Sequence, residues 1–543
     1  MKQKVKTISF LTLITVLSLL EILAFGAKGG WERAAAFLWA AIGISLASFF
    51  IICIFRQIFL DVLDRRKIWI DVAFLVLLFP FFYTLGNLQF CDVNPDAAQQ
   101  VMAGIEAIGT KDIGYTKNNA FIGYSCRQYV IAALPSVLFG RSIFALAFGF
   151  GFPFLLGVTA FFGAIRKQLA AKGYPEWLAL FPIVMLSAFP FLTEYYMNFE
   201  QAIIPITLVL FALAMFLRTG ESDWIVNWIA LMWLIGMMNN SYTPSLAALG
   251  LLCAGLLLRA FFLLKEKADH LQVAVWHFAC VYYAVITFVA TSLGKRADRL
   301  SRTRQKIGNP VTYLIRVFER SFLEEGLQFW GIFLALVVAY IIASFLGLLT
   351  IWDILCSVWI LGVILFADYL IGYSDYEKIW NLQRLLVAVP VIILCLFNRA
   401  LYLFRNRTVR KRVLAACLAV FFLVGISNFG QPHRSFRYFS YTQPMKYIIH
   451  WMTETEPVDG DILLLTRNPL MQNAKDYRYF FPEGSTLRAS AIDKYDGFAD
   501  YPVIFSDELL EAKLVMGYQM EIREYRNVRY NTVTTVYRYT KIK

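Results

Sequence analysis

The sequence predicts an all-α polytopic membrane protein of about thirteen transmembrane helices, with an extracytoplasmic α/β domain at its carboxyl end. Three observations predict it. Hydrophobic residues make up 59% of the 543 and charged residues only 16%, against roughly 45–50% and about 25% in soluble domains. Apolar runs long enough to span a bilayer recur along residues 1–428, and charged residues then spread evenly through 429–543. The formal charge of +13 lies in short clusters between the apolar runs. That pattern sets membrane topology and argues against nucleic acid as a partner.

The spans are expected near 7–26, 34–55, 69–88, 142–165, 175–192, 200–217, 224–238, 243–264, 272–293, 328–348, 350–367, 384–404 and 411–428. The first follows Lys2, Lys4 and Lys6 and lacks a small-residue cleavage site, so it is read as an uncleaved helix. Basic residues gather at the amino terminus, at Arg65, Arg66 and Lys67, at Arg166 and Lys167, at Lys265 and Lys267, and from Arg405 to Arg412. These clusters alternate with the spans and are assigned to the cytoplasm. Residues 89–141, 294–327 and 429–543 then face the other side of the cytoplasmic (inner or plasma) membrane.

The tail divides into short elements. "DILLLT" (461–466), "YPVIFS" (501–506) and "TVTTVYRYTKIK" (532–543) read as strands, and "SDELLEAKLVMG" (506–517) as a helix capped by Ser506. It contains no Gly-rich phosphate loop, no Ser-His-Asp arrangement and no metal-ligand spacing, so 429–543 is expected to be an accessory domain. Cys91 and Cys126 share the first external loop; a disulfide and two reduced thiols both fit. The four histidines are scattered singly and no CxxC or HExxH occurs, which argues against a structural zinc site.

Two external loops carry chemistry. In "GNLQFCDVNPDAAQQVMAG" (86–104), Asp92 and Asp96 stand four residues apart just where a span ends. Asn94 is a ready N-cap, Pro95 suits the first helical position, and Asp96 in the first turn complements the helix dipole. The dipole does not account for Asp92. It also leaves unexplained the broken amphipathic stretch "RQYVIAALPSVLFG" (127–140), which is expected to lie along the membrane surface above the next span. A carboxylate pair beneath such a roof has the layout of a site.

The second loop, "GKRADRLSRTRQK" (294–306), holds six basic residues against one Asp although it is assigned outside. A miscounted span with an ordinary cytoplasmic loop would account for the charge. With the count as given, Lys295, Arg296, Arg299 and Arg302 are read as ligands for an anionic headgroup, since guanidinium forks and ammonium groups match phosphate. Weaker candidates for a sugar or acceptor site are Glu200 in "FLTEYYMNFEQ" and Asn239 and Asn240 in "NNSYTPS". Interfacial aromatics and ordinary turn chemistry account for those three equally well.

The motifs resemble those of GT-C glycosyltransferases, among them the bacterial protein O-mannosyltransferases and the lipid A aminoarabinose transferase. The resemblance rests on Asp96 after Pro95, on "YVIAALPSVLFGRSIFAL" (129–146), and on "YSDYEKIWNLQRLLVAVPVIILCL" (373–396), with Arg384 and Pro390 at the matching positions. It covers about residues 69–430 and departs in three ways. The acidic loop follows the third span instead of the first, Asp96 is followed by Ala97 where the family has an Asp-Glu pair, and the family's double proline is missing.

The resemblance implies transfer of a hexosyl or pentosyl group from a polyprenyl-phosphate donor to an extracytoplasmic glycan, lipid or protein. Asp96, with Asp92 as the alternative, becomes the general base for the acceptor hydroxyl. Arg384 and the 295–306 loop become the groups that stabilise the departing phosphate. No cofactor is assigned, and a divalent cation is left open. The alternatives are a transporter or flippase for a lipid-linked glycan, or a polysaccharide polymerase or ligase. A transporter would want mid-span ionisable groups and a repeat between halves, and the sequence shows few of the first and no clear instance of the second.

Overall fold

The computed structural model describes residues 2–26, 67–86, 95–110, 127–187, 203–219, 225–239, 245–266, 271–291, 389–403, 445–454, 461–467, 479–480, 486–496, 501–527 and 532–542, with isolated positions elsewhere. The helices within 1–403 fall on the expected apolar runs, except for two that lie in the expected external loop 89–141. They are α1 (Lys2–Gly26), α2 (Ile68–Gly86), α3 (Pro95–Thr110), α4 (Arg127–Phe139), α5 (Ile143–Ala171), α6 (Leu180–Ser187), α7 (Ile203–Arg218), α8 (Ile225–Asn239), α9 (Ser245–Glu266), α10 (Leu271–Thr291) and α11 (Val389–Leu403). Four of them, α1, α5, α9 and α10, are long and apolar enough to cross a membrane. That is the count for the described residues, beside the thirteen spans the sequence predicts. The helices α7 and α8, of 16 and 15 residues, reach about 24 and 22 Å, short of a hydrocarbon core of about 30 Å. The expected spans at 34–55, 328–348, 350–367 and 411–428 lie outside the described residues apart from isolated positions.

Close approach of helices depends on small residues. A Cβ on Gly149 of α5 would stand 2.1 Å from the carbonyl oxygen of Ala132 in α4. One on Gly104 of α3 would stand 2.5 Å from the carbonyl oxygen of Tyr129 in α4. Three helices are thus pressed backbone to backbone, α3 on α4 and α4 on α5, in the way small residues permit in membranes. Gly149→Ala opposes two effects. Alanine is about 1 kcal/mol the better helix former, but overpacking costs about 1–3 kcal/mol and here the neighbour is rigid backbone. The expected result is a lower thermal midpoint in detergent; an unchanged or raised midpoint would disprove the α4–α5 contact.

Aromatic side chains fill the wider gaps. Phe74 of α2 stacks on Phe162 of α5 with ring centroids 4.2 Å apart. Trp276 of α10 meets Phe10 of α1 at 6.0 Å and Trp228 of α8 at 5.8 Å. Beside that node the Thr7 hydroxyl accepts a hydrogen bond from the Trp276 indole at 3.2 Å and another from the Gln272 amide. The starts of α1 and α10 therefore lie together.

Beyond the bundle, α12 (Met445–Glu454) leads into strands β1 (Asp461–Thr466), β2 (Thr486–Ala491), β3 (Val503–Ser506), β4 (Tyr518–Asn527) and β5 (Thr532–Lys541). They form one sheet in the order β2-β1-β3-β5-β4. The first three strands are parallel, and β5 runs antiparallel to both β3 and β4. "DILLLT" is continuously apolar because both its faces are covered. Ile462 and Leu464 join Val503, Phe505 and Val536 in the main core, where Trp451 of α12 meets Phe505 at 5.9 Å. Leu463 and Leu465 pack on the other face with Ile504, Leu510 and Tyr539.

The three expected strands are present, but the expected helix over 506–517 is not. Ser506 ends β3, and only a single 3-10 turn forms, at Ala512–Leu514. The donors a helix would use are engaged elsewhere. The Glu508 amide donates to the Ser506 hydroxyl at 3.1 Å, and the Leu510 amide donates to the Tyr539 hydroxyl at 3.0 Å. Ser506 does receive a backbone N–H, as a cap would, but it closes a turn. Gly517, at φ +85°, turns the chain into β4.

Candidate functional site

Helix α3 starts at Pro95, so Asp96 occupies its first turn. Ala97, Ala98 and Val101 are fully buried just after it, and Gly104 fixes the same helix to α4. The acid-bearing turn is consequently carried on a clamped helix. The stretch read as a surface segment is α4, which continues through Pro135 to Phe139. It buries Tyr129, Ala132, Ala133 and Ser136 and leaves Leu134, Val137, Leu138 and Phe139 exposed. The exposed side is as apolar as the buried one, so the expected amphipathic pattern is absent; the buried side faces α3 and α5.

The corner between α4 and α5 is built from backbone geometry. Gly140 adopts φ +85°, and Ser142 caps α5 by accepting the Ala145 amide on its hydroxyl at 3.0 Å. Tyr479, from the carboxyl-terminal domain, closes on this corner and is completely buried. Its hydroxyl donates to the Ser142 carbonyl at 2.9 Å and accepts the Ser142 amide at 3.1 Å. It also lies 2.7 Å from the Ser136 hydroxyl of α4. With one proton and two lone pairs the phenol is saturated if Ser136 is the donor there. Burial pushes its pKa above the usual phenol range, with the Ser136 bond opposing. The carboxyl-terminal domain therefore sits at the same end of the bundle as the α4–α5 corner.

A second polar cluster holds a different end of the helices. The Arg166 guanidinium of α5 donates to Asp71 of α2 at 2.6 Å and to Glu176 at 2.8 Å. Lys67 donates to the other Glu176 oxygen. Residues 67 and 166, assigned to one side of the membrane from their charge, are neighbours. Neither this cluster nor the Tyr479 corner is anticipated by the sequence. The Arg166–Asp71 pair spans 95 positions and the Tyr479–Ser136 pair 343.

Among the other expected site residues, Asn239 is the last residue of α8 and fully buried. Its amide nitrogen donates to the Ala284 carbonyl at 2.9 Å and to the Thr287 hydroxyl, both in α10. It bolts two helix ends together. Pro390 stands in the first turn of α11. Asp92, Glu200, Asn240, Lys295, Arg296, Arg299, Arg302 and Arg384 lie outside the described residues, as do Cys91 and Cys126. In the carboxyl-terminal domain the Thr466 hydroxyl donates to Asp507 at 2.9 Å, and burial pushes that carboxyl above its ordinary range. No group of three or more metal-ligating side chains occurs among the described residues.

No protein-family model matches the chain, and no curated protein matches it. Solved structures do. The chain is similar to ArnT from Cupriavidus metallidurans. The apo form aligns at 14% identity and a TM-score of 0.43, covering 87% of this chain and 98% of that one. The form bound to undecaprenyl phosphate aligns at 15% identity and a TM-score of 0.44, covering 86% and 98%.

Proposed function

We propose that this chain is an integral membrane glycosyltransferase that moves a sugar from a polyprenyl-phosphate donor to an acceptor outside the cytoplasm. The observation that carries the reading is the seating of Asp96. It lies in the first turn of α3, a helix pressed on α4 at Gly104, and α4 is in turn pressed on the membrane-length α5 at Gly149. The motif resemblance over 69–430 supports the same chemistry. An acceptor hydroxyl must lose its proton as it attacks the anomeric carbon. The C–O bond to the carrier phosphate breaks as the new one forms, and the phosphate leaves with the electron pair. Asp96 takes the proton, with Asp92 as the alternative base. Arg384, Lys295, Arg296, Arg299 and Arg302 are assigned to the phosphate, where fixed positive charge stabilises the leaving group. Glu200 and Asn240 are the assigned sugar-side residues, while Asn239, buried between α8 and α10, drops from that set.

In this reading the amino terminus is cytoplasmic, and the 429–543 domain faces outward with the 89–141 loop. The acceptor belongs to the cell envelope. The test is incubation of the purified protein in vesicles with a labelled polyprenyl-phosphate sugar. Label leaving the carrier supports transfer; label that crosses the bilayer still attached to its carrier identifies a transporter. Neutralising Arg299 and Arg302 together to Gln is expected to raise KM for the donor by tenfold or more and leave KM for the acceptor nearly unchanged. Each loses a charge-assisted hydrogen bond worth roughly 1.5–3 kcal/mol. Unchanged donor dependence would reduce these arginines to topology signals.

A further inference from the structure

The carboxyl-terminal domain has no assigned role beyond that of an accessory. Its contact with the bundle is nevertheless specific. A single buried hydroxyl, that of Tyr479, meets the side chain of Ser136 and both backbone groups of Ser142. Ser136 follows Pro135, which cannot supply the amide hydrogen that an unbroken α4 would use. Ser142 is the first-turn cap of α5. The phenol thus ties the end of a proline-interrupted helix to the start of a membrane helix, across the left-handed turn at Gly140.

The contact extends toward the acid. Gly104 of α3 presses on the Tyr129 carbonyl and on Ala133, one turn before Ser136, where an added Cβ would stand 2.5 and 2.7 Å away, and Ala132 lies against Gly149 of α5. From Gly104, α3 runs back eight residues, about 12 Å, to Asp96. A shift of α4 at Ser136 is transmitted to α3 because the Gly104 contact is backbone against backbone and has no flexible side chain to absorb it. Phe480 stands edge-on to Tyr479 at 4.7 Å and holds the ring independently of its hydroxyl.

We infer that Tyr479 is a positioning residue, through which the carboxyl-terminal domain fixes the α3–α4 pair and with it the Asp96 turn. The kinetic consequence rests on the glycosyltransferase reading; the structural consequence does not. Tyr479→Phe keeps the ring and its packing and deletes all three hydrogen bonds. Ser136→Ala deletes one of them from the other side. Tyr518→Phe is the control, because its hydroxyl bonds only to Tyr501 within the carboxyl-terminal domain among the described contacts.

Two measurements on the full-length protein in nanodiscs decide it. Amide hydrogen exchange over 95–110 and 127–139 is expected to accelerate about tenfold in Tyr479→Phe, less in Ser136→Ala, and not at all in the control. Exchange that changes only next to Tyr479, leaving 95–110 at the wild-type rate, overturns the inference. Transfer from a polyprenyl-phosphate sugar is expected to show a kcat lowered about tenfold with KM for the donor held. A simple loss of folded protein would scale total activity and leave kcat per folded molecule unchanged, and that result also overturns it. If the wild type transfers no sugar, the exchange measurement alone decides the positioning role, while the reaction assignment fails separately.

Discussion

Asp96→Asn is expected to lower the rate of sugar transfer by roughly 10²–10⁴ while leaving the protein folded and donor binding intact. The substitution preserves size and hydrogen-bonding capacity, so the first turn of α3 keeps its geometry and the Gly104 contact its fit. What disappears is the ability to accept a proton from the acceptor hydroxyl. The competing account is that Asp96 only complements the helix dipole, as an acid in a first turn does. Losing that interaction costs about 0.3–1 kcal/mol of stability and nothing in catalysis. The two accounts differ by orders of magnitude in kcat, so a single-turnover assay with preloaded donor separates them. Near-normal turnover in the Asn variant leaves Asp96 a dipole residue. A dead Asp92→Asn beside an active Asp96→Asn moves the base four residues and keeps the mechanism.

Much of the bundle was legible because its elements are specified locally. An apolar run of span length declares a helix; α9 and α10 fall within two residues of their expected bounds, and α5 starts one residue after its expected start and runs six past its expected end. β1, β3 and β5 were legible from apolar or β-branched runs between turn residues. The start of α3 was legible from Pro95. Local signals failed at 506–517, where helix-favouring residues are overridden by hydrogen bonds to Ser506 and to Tyr539 on a distant strand. They failed again wherever partners are separated by much of the chain, as with Tyr479 and Ser136. Periodicity carries no information about such pairs. Asn239 was legible as a polar residue at a helix end, but its amide is engaged by Ala284 and Thr287, a partnership only the packing of α8 on α10 reveals.

Arg166 gives the other large expected effect, and it turns on a residue whose charge in the sequence reads only as a topology signal. It sits about 35 Å along α5, beyond a hydrocarbon core of about 30 Å, yet its side chain is only 3% exposed. Asp71 and Glu176, its two carboxylate partners, are 13% and 15% exposed. One guanidinium therefore holds α2, α5 and the turn into α6, with each carboxylate oxygen met by a separate nitrogen. Replacing it with Leu removes the charge that both acids share among the described contacts and leaves two largely buried carboxylates without that counter-ion. Breaking a buried pair in this one-sided way costs about 3–5 kcal/mol, because the remaining charge keeps its desolvation penalty. Lys67 is 42% exposed, and its Ala variant should cost no more than about 1 kcal/mol, as exposed pairs do. Combining Arg166→Leu with Asp71→Leu and Glu176→Gln should recover much of the loss, since no unpaired acid then remains. The check is unfolding in mixed micelles across the single and combined variants. A large loss for Arg166→Leu, a small one for Lys67→Ala and partial recovery in the combination are expected. Equal losses for the two single variants would show that the cluster is solvated and that the helices are held by their apolar packing alone.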